Sequence, residues 1–398
     1  MAQVQDFLQL HPQWPAVAAI YHRLQAHGYK AFLAGGCVRD ALLGRKAHDL
    51  DIATDASPEQ IEKIFEKTVG VGKSFGVIRV LVDGSDIEVA TFRSDGLYQD
   101  GRRPENVQFT SPREDAQRRD FTINALFFDL EKNQLLDFVQ GQADLAAKRI
   151  RTVGAPEQRF AEDHLRLLRA VRFVAQLDFV IEEKTFAQIQ ALASTVKTVS
   201  GERLRDEMVK LLRGSVVQKG LKEFSRSGLM SELFPFRVQD DSWEGFSFQE
   251  DWQGLSLFLQ KASLTALKEI FIQLRLSTKE KKNIEDCWNL WQQPELFFTK
   301  SLGEKIQALA RPGILWALQV LVKRHDTFAA PSLELCQKWQ SLQMQLPSPF
   351  LRGEDAQSSF AGAALGEVLQ RAFILQLEDH FKDRAEALAW LGQQKNKG

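Results

Sequence analysis

The sequence predicts an α+β fold, in which an N-terminal head with a small mixed β-sheet and flanking helices precedes an all-helical neck, body and tail. Up to about residue 150, short runs rich in β-branched and aromatic residues alternate with helical segments. After Pro156, apolar residues recur with a period near 3.6, which is typical of amphipathic helices. At 398 residues, the chain is also longer than one hydrophobic core usually allows.

Breaks in these patterns predict four domains. Turn-forming residues interrupt the helical pattern at Ser200-Gly201, between Pro235 and Gly245, and around Pro331. We therefore expect a catalytic head over 1–150, a neck over 151–230, a body over 231–330 and a tail over 331–398.

Composition limits the partners and the compartment. With a formal charge of −1, the chain has no overall positive charge that would attract nucleic acid, so a site for a polyanion must come from local patches of basic residues. The three cysteines, Cys37, Cys287 and Cys336, have neither metal-ligand nor disulfide spacing, which indicates a reducing cytoplasm. No signal-peptide pattern and no 18-residue apolar run occurs, so we expect no membrane partner.

The elements of the head can be predicted in chain order. A helix should begin at Ser57-Pro58, because serine caps helices and proline fits their first turn. Alternating or continuous apolar patterns predict strands over 31–33, 49–53, 77–82, 86–92 and 122–130, the last with a continuation ending at Asp137.

The first two strands carry the most informative residues. Gly35-Gly36 ends the first, where missing side chains let backbone amides approach a phosphate. Asp49 and Asp51 would point the same way from the second strand, about 6.6 Å apart. Such carboxylates suit Mg²⁺, and two-metal phosphoryl transfer needs ions about 3.5–4 Å apart. Together these features indicate nucleotidyl transfer, although each alone more often marks an ordinary turn or a solvated strand edge.

A third carboxylate lies on the strand predicted over 86–92. Glu88 would reach the metals if this strand neighboured that of Asp49, and it would then ligate metal or orient the attacking hydroxyl. An exposed acid on an edge strand is the alternative. The following loop, 94–105, is rich in glycine and charge, which fits either a segment that swings over the site or a solvated connection.

Arginines form two further candidates. Arg118-Arg119 suits a phosphate clamp, because guanidinium groups match phosphate oxygens, but a solvated helix end fits equally well. On a helix predicted over 162–173, Arg166, Arg169 and Arg172 would form an outward stripe. Asp163 and Arg166, three residues apart, would pair and present both acceptor and donors to a nucleobase edge. A surface helix with an internal ion pair is the alternative.

Five motifs in order resemble the bacterial class II tRNA nucleotidyltransferases, the CCA-adding enzymes and their poly(A) polymerase relatives, within the polymerase-β-type superfamily. The resemblance covers about residues 30–230. The matching motifs are Gly35-Gly36-x-Val38-Arg39-Asp40 with Asp49-x-Asp51; Arg118-Arg119-Asp120-Phe121-Thr122-x-Asn124-Ala125; Asp137 through Gly141 to Asp144-Leu145; Glu162-Asp163-x-x-Arg166-x-x-Arg169-x-x-Arg172-Phe173; and Glu202-Arg203 with Glu207.

The resemblance implies a role for each matching residue. Asp49 and Asp51 would hold Mg²⁺, as two ions, and Glu88 would be the third catalytic acid. Asp163 and Arg166 would read the base of ATP or CTP. The implied nucleotide-binding set is Gly35, Gly36, Arg39, Arg119, Asp120, Asn124, Asp163, Arg166, Arg169 and Arg172.

The resemblance also implies the reaction: CMP and AMP are transferred from CTP and ATP to a tRNA 3′ end, with tRNA held at its acceptor end and elbow and with no DNA partner. A poly(A) polymerase and an enzyme adding only A stay open. Residues 72–77 lack the basic Gly-Arg-Arg-Phe-like run of the poly(A) polymerases, and the loop over 94–105 favours terminal A addition. A catalytically dead RNA-binding module is disfavoured, because the required acids and arginines are present.

Overall fold

The computed structural model describes residues 2–70, 72–96, 107–236, 243 and 245–395. The chain forms two compact units, residues 1–246 and 247–398. The finer boundaries at 150, 230 and 330 stay predictions. Most of the loop predicted over 94–105 lies outside the described residues, so its proposed motion stays a prediction as well.

A seven-stranded mixed sheet forms the centre of the first unit, which confirms the predicted fold class. Its order is β3-β4-β5-β2-β1-β8-β9, with β2 and β5 parallel and all other neighbours antiparallel. Two further two-stranded sheets pair β6 with β7 and β10 with β11. The strands are β1 Ala31–Ala34, β2 Ile52–Thr54, β3 Thr68–Val69, β4 Val77–Val82, β5 Ser85–Thr91, β6 Arg93–Asp95, β7 Val107–Phe109, β8 Leu126–Asp129, β9 Gln134–Asp137, β10 Arg149–Ile150 and β11 Val180–Ile181.

Helices surround this sheet and continue through the neck region. Short 3₁₀ turns cover Lys73–Phe75, Thr122–Asn124 and Ala193–Thr198. The α-helices of the first unit are α1 Ala2–Gln9, α2 Trp14–Ala26, α3 Gly36–Leu42, α4 Pro58–Ile64, α5 Pro112–Gln117, α6 Gly141–Ala146, α7 Pro156–Glu162, α8 Leu165–Leu177, α9 Glu183–Ala191, α10 Gly201–Leu212, α11 Val217–Arg226 and α12 Leu229–Leu233.

The second unit is helical throughout its described residues. None of the helices in the described ranges is long and apolar enough to cross a membrane. The helices of the second unit are α13 Asp251–Phe258, α14 Leu264–Gln273, α15 Thr278–Gln292, α16 Pro294–Phe298, α17 Leu302–Ala308, α18 Pro312–Lys323, α19 Ala329–Ser341, α20 Gly353–Ala356, α21 Gly362–Leu377 and α22 Arg384–Lys395.

Aromatic packing fixes one face of the sheet. Phe32 of β1 lies 5.8 Å from Phe92 and 6.4 Å from Phe127, measured between ring centroids. Ala34 of β1 and Ala53 of β2 leave room for these rings in one buried cluster. Each buried phenylalanine removes a large apolar area from water and so anchors β1, the strand that leads into Gly35-Gly36.

Three predicted elements differ from the observed ones. The aspartates at 49 and 51 precede β2 rather than lie on it, although Ala34 still donates its amide to the Asp51 carbonyl. Residues 122–124 form a 3₁₀ turn, because the Asp120 carboxylate accepts from the Phe121 amide and the Asn124 side chain and so competes with strand pairing. The neck is not entirely helical, since β11 pairs with β10.

Gly141, at the start of α6, is expected to be intolerant of a side chain. A Cβ there would lie 2.3 Å from the Thr122 carbonyl oxygen and 2.9 Å from Leu126. Gly141→Ala should therefore lower the free energy of unfolding by about 1–3 kcal/mol, the usual range for overpacking. Denaturant titration measures this loss. Gly366→Ala is the control, because nothing lies within 4 Å of the added Cβ and the helix should be unchanged or slightly stabilised. Equal effects would contradict the steric account.

Candidate active site

The backbone turns sharply where β1 meets α3. Gly35 has φ +76° and ψ −126°, a conformation that side chains disfavour, and its amide donates to the Leu126 carbonyl. A Cβ at Gly35 would also lie 2.9 Å from Arg119 Nη1. Glycine at this position therefore allows both the turn and the close approach of a guanidinium.

The three predicted acids lie on β5 and on the segment that directly precedes the neighbouring β2. β2 and β5 are parallel with Ile52 opposite Val89, so Asp51 and Glu88 lie side by side one residue earlier. Asp49 is exposed, and the intervening Leu50 is buried, so the alternation expected of a strand holds in the segment before β2. The predicted neighbourhood of Glu88 and Asp51 is thus observed.

The electrostatics of these acids fit a bound cation. Burial, and then the charges of Asp49 and Glu88, raise the pKa of Asp51 to about 7, while Arg119 opposes the shift. Asp49 Oδ2 lies 3.9 Å from His48 Nδ1, too far for a hydrogen bond. The described ranges hold no ready-made cluster of three His, Cys, Asp or Glu ligands. The oxygen ligands and the mutual repulsion nevertheless suit Mg²⁺.

Asp115 orients the arginine pair that follows α5. Its carboxylate accepts from Arg118 Nη2 at 2.6 Å and from Arg119 Nε at 3.1 Å. Burial alone would raise the pKa of Asp115, but Arg119 and Arg118 hold it below its ordinary value. The Arg119 guanidinium also lies over the Phe127 ring, 4.8 Å from the centroid. Both arginines are thereby fixed rather than solvated.

A buried polar network joins the head to the neck helices. Asn124 accepts from Arg39 Nη1 at 2.6 Å and donates to Asp120 at 3.1 Å. Asp120 in turn pairs with Arg169 at 2.5 Å, and Arg169 lies 3.4 Å from Glu207 of α10. Burial would raise the pKa of Asp120, but Arg169 and Asn124 hold it well below its usual range.

Two predictions for the helix over 162–173 are wrong. The helix breaks, because α7 ends at Glu162 and α8 begins at Leu165. In that break the Asp163 carboxylate turns to Arg203 of α10, at 2.7 Å, while Arg166 pairs with Glu162 at 2.6 Å. Asp163 and Arg166 therefore form no ion pair with each other.

The arginine stripe is also not directed outward. Arg166 and Arg172 are only 8% and 7% exposed. Arg172 and Arg169 lie over the Phe173 ring, with Arg172 3.9 Å from the centroid. The packing of α10 and of the head against α8 covers the stripe, which a helical periodicity alone cannot reveal.

One cavity of about 530 Å³ collects these side chains. All of the predicted site residues except Glu88 line it, and seven arginines face four aspartates. Sequence reasoning missed Leu165, Phe173 and Arg203 as lining residues, and it left Arg118 undecided. For Arg203 the signals were its place in the fifth matching motif and in the first turn of a helix after Ser200-Gly201.

Curated relatives match most of the chain. A CCA-adding enzyme of Bacillus velezensis is 38% identical over 364 residues, which is 88% of each chain. A CCA-adding enzyme of Bacillus pumilus is 42% identical over 290 residues, covering 68% of this chain and 71% of the relative. The chain belongs to the CCA-adding enzyme family. The resemblance predicted from the five motifs is thereby confirmed.

Protein-family models and solved structures support the same family assignment. Residues 31–151 match the poly A polymerase head domain, and 178–239 match the probable RNA and SrmB-binding site of polymerase A. The Bacillus stearothermophilus CCA-adding enzyme in complex with CTP aligns with a TM-score of 0.80 at 28% identity, over 98% of this chain and 99% of its own. The Thermotoga maritima CCA-adding enzyme complexed with tRNA shares the fold, with a TM-score of 0.60 at 21% identity and 98% coverage of each chain.

Membership in the CCA-adding enzymes implies metal-dependent catalysis in the head. In this chain Asp49, Asp51 and Glu88 are the acids that fit that requirement, and the first two line a cavity with an excess of arginine. Such a cavity suits a ligand with several negative charges at one end.

Proposed function

We propose that this CCA-adding enzyme transfers CMP and AMP from CTP and ATP to the 3′ end of tRNA and releases pyrophosphate. The observation that supports it is one cavity lined both by the Asp49 and Asp51 carboxylates and by the Asp163 and Arg166 side chains. A site that only cleaved phosphate would not need donors and acceptors for a base.

Each wall of the cavity has a distinct role in this proposal. Arg39 and Arg119, both fixed by hydrogen bonds, hold the triphosphate, with Asp120 and Asn124 keeping them in place. Two Mg²⁺ ions held by Asp49 and Asp51 would supply charge neutralisation at the α-phosphate and the leaving pyrophosphate. Glu88 lies where it can orient the primer 3′-hydroxyl for in-line attack.

Base selection is proposed for Asp163 and Arg166. Each is held by its own partner, Arg203 and Glu162 respectively, so their polar groups are fixed before the nucleotide binds. Arg166 also donates to the Arg118 carbonyl at 3.2 Å. This bond links the residues proposed for base selection to the Arg118-Arg119 pair. Fixed donors and acceptors discriminate bases because a wrong base leaves buried polar groups unpaired.

The remaining partners follow from the same proposal. The residues 178–239 that match an RNA-binding family, together with the body and tail, would hold the tRNA acceptor arm and elbow. We place the reaction in the cytoplasm, which agrees with three cysteines that are unpaired in the structure.

Nucleotide incorporation into two RNAs tests the proposed function. Purified protein is incubated with Mg²⁺ and either tRNA lacking its 3′ CCA or an unstructured oligonucleotide, supplying CTP and ATP separately and together. Addition of two C and one A to tRNA alone is expected. Long A tails on either RNA would instead identify a poly(A) polymerase, and a single A on tRNA ending in CC, without C addition, would identify an A-only enzyme.

Arg166→Ala is expected to weaken the choice between ATP and CTP. Its guanidinium supplies donors within the cavity, and losing one paired base contact costs about 1–3 kcal/mol of discrimination, or about 5- to 160-fold. The ratio of kcat/KM for CTP and ATP at each addition step measures this. Arg226→Ala is the control, since that arginine is exposed and pairs locally with Glu223. An unchanged ratio in Arg166→Ala would remove this residue from base selection.

A further inference from the structure

A turn between α1 and α2 reaches both segments that carry the catalytic acids. His11, only 8% exposed, accepts from the Gln13 amide at Nδ1, which leaves Nε2 to donate to the His48 carbonyl at 3.3 Å. Gln13 donates from Nε2 to the Asp86 carbonyl, also at 3.3 Å. His48 directly precedes Asp49, and Asp86 lies two residues before Glu88.

The same N-terminal helices cover the loop that leads to Asp49. α1 packs on α3, and the Phe7 ring lies 3.5 Å from the position of a Cβ at Gly44. α2 packs on β1 and β5. The match to the head-domain family begins only at residue 31, so this turn lies outside the matched head.

We propose that the turn over residues 11–13 is a brace that sets the position of the metal-binding acids. Residues 43–51 form no helix or strand beyond the first turn after α3, so few backbone hydrogen bonds fix Asp49. Three neighbouring carboxylates repel one another, and this repulsion favours movement of the loop away from β5. His11 holds the backbone directly before Asp49, and Gln13 holds β5 two residues before Glu88. Both are positioning residues, because they act through backbone groups and touch neither substrate nor metal.

The inference rests on the proposed function in one respect, namely that Asp49, Asp51 and Glu88 bind metal. Binding of Mn²⁺ alone, followed by the electron paramagnetic resonance of free Mn²⁺, tests it without any nucleotide or RNA. Loss of supporting contacts typically weakens metal affinity by about 10- to 100-fold, so His11→Ala/Gln13→Met should raise the Mn²⁺ Kd at least about tenfold. In nucleotide addition, the Mg²⁺ concentration for half-maximal rate should rise while the KM for CTP stays unchanged.

Three variants separate the proposed bracing from a general loss of stability. His11→Gln keeps a side-chain donor of similar reach and should restore Mn²⁺ affinity to within about twofold of the wild type. Leu8→Ala removes buried packing from α1 and should lower Tm with no change in Mn²⁺ affinity. Gln13→Met alone changes a half-buried side chain, so it should fold and still show a measurable loss of affinity.

The outcomes distinguish the two proposals. Wild-type Mn²⁺ affinity in the double variant, or an equal loss in Leu8→Ala, would overturn the brace while leaving the metal site in place. Asp51→Asn should eliminate Mn²⁺ binding. If Asp51→Asn bound Mn²⁺ like the wild type, the metal assignment itself would be overturned, whatever the brace variants showed.

Discussion

Replacing Asp51 by asparagine is expected to lower the rate of nucleotide addition about 10³-fold or more, because metal ions contribute several kcal/mol of charge stabilisation in the transition state. The substituted amide would keep the shape of the carboxylate side chain but lose its charge. The half-buried Asp51 lies between the exposed Asp49 and β2, next to Glu88 on β5. Single-turnover incorporation of CMP into tRNA measures the loss.

Affinity for tRNA should survive this change. Asp51 lines the cavity, whereas RNA binding is proposed for residues 178–239 and the helices beyond. Filter binding of tRNA should therefore show a Kd close to that of the wild type. Asp83→Asn is the matched control, since Asp83 lies in an exposed turn between β4 and β5 with φ +49°, a conformation that asparagine accepts well. Substantial activity in Asp51→Asn would refute the metal assignment.

Glu207→Gln is expected to lower the free energy of unfolding by about 3–5 kcal/mol, the usual cost of removing one partner of a buried ion pair. Glu207 is 3% exposed, and its Oε2 lies 2.7 Å from Arg172 Nε, an ion pair without an aligned hydrogen bond. Burial, and then the charge of Arg169, lower the pKa of Arg172 to about 10. Without the carboxylate, Arg172 would lose its ion-pair partner beside Arg169, and Asp120 alone would balance the two guanidinium groups.

Denaturant titration measures the effect, and Asp206→Asn is its control. Asp206 follows Arg205 on the same helix, its side chain is 60% exposed, and a solvated pair of this kind contributes about 1 kcal/mol or less. Because Glu207 orders arginines of the cavity, the Gln variant should also lose nucleotide affinity at temperatures where it remains folded. A stability loss no larger than that of Asp206→Asn would show that the buried network is dispensable.

Local sequence patterns predicted most of the residues that line the cavity but not the contacts between them. Gly35-Gly36 and the acids are predictable, because a turn that requires glycine and a metal that requires oxygen ligands restrict the residue types at fixed spacing. The partner of Asp163 was not predictable, since Arg203 is forty positions away and meets it only through the break between α7 and α8. A helical period likewise shows which residues share a face but not what covers that face, and α8 proved to be buried along its arginines.

The adjacent parallel pairing of β2 and β5 has a consequence for how this head can vary. Asp51 and Glu88 lie at the two ends of a long connection in the chain. The register of β2 against β5, rather than proximity in sequence, places them side by side. Residues 55–84, which contain α4 and the β3-β4 hairpin, therefore lie outside the register that aligns the acids. Insertions or deletions at the tip of that connection should leave the reacting geometry intact, whereas a one-residue slip of β5 would turn Glu88 to the opposite face of the sheet.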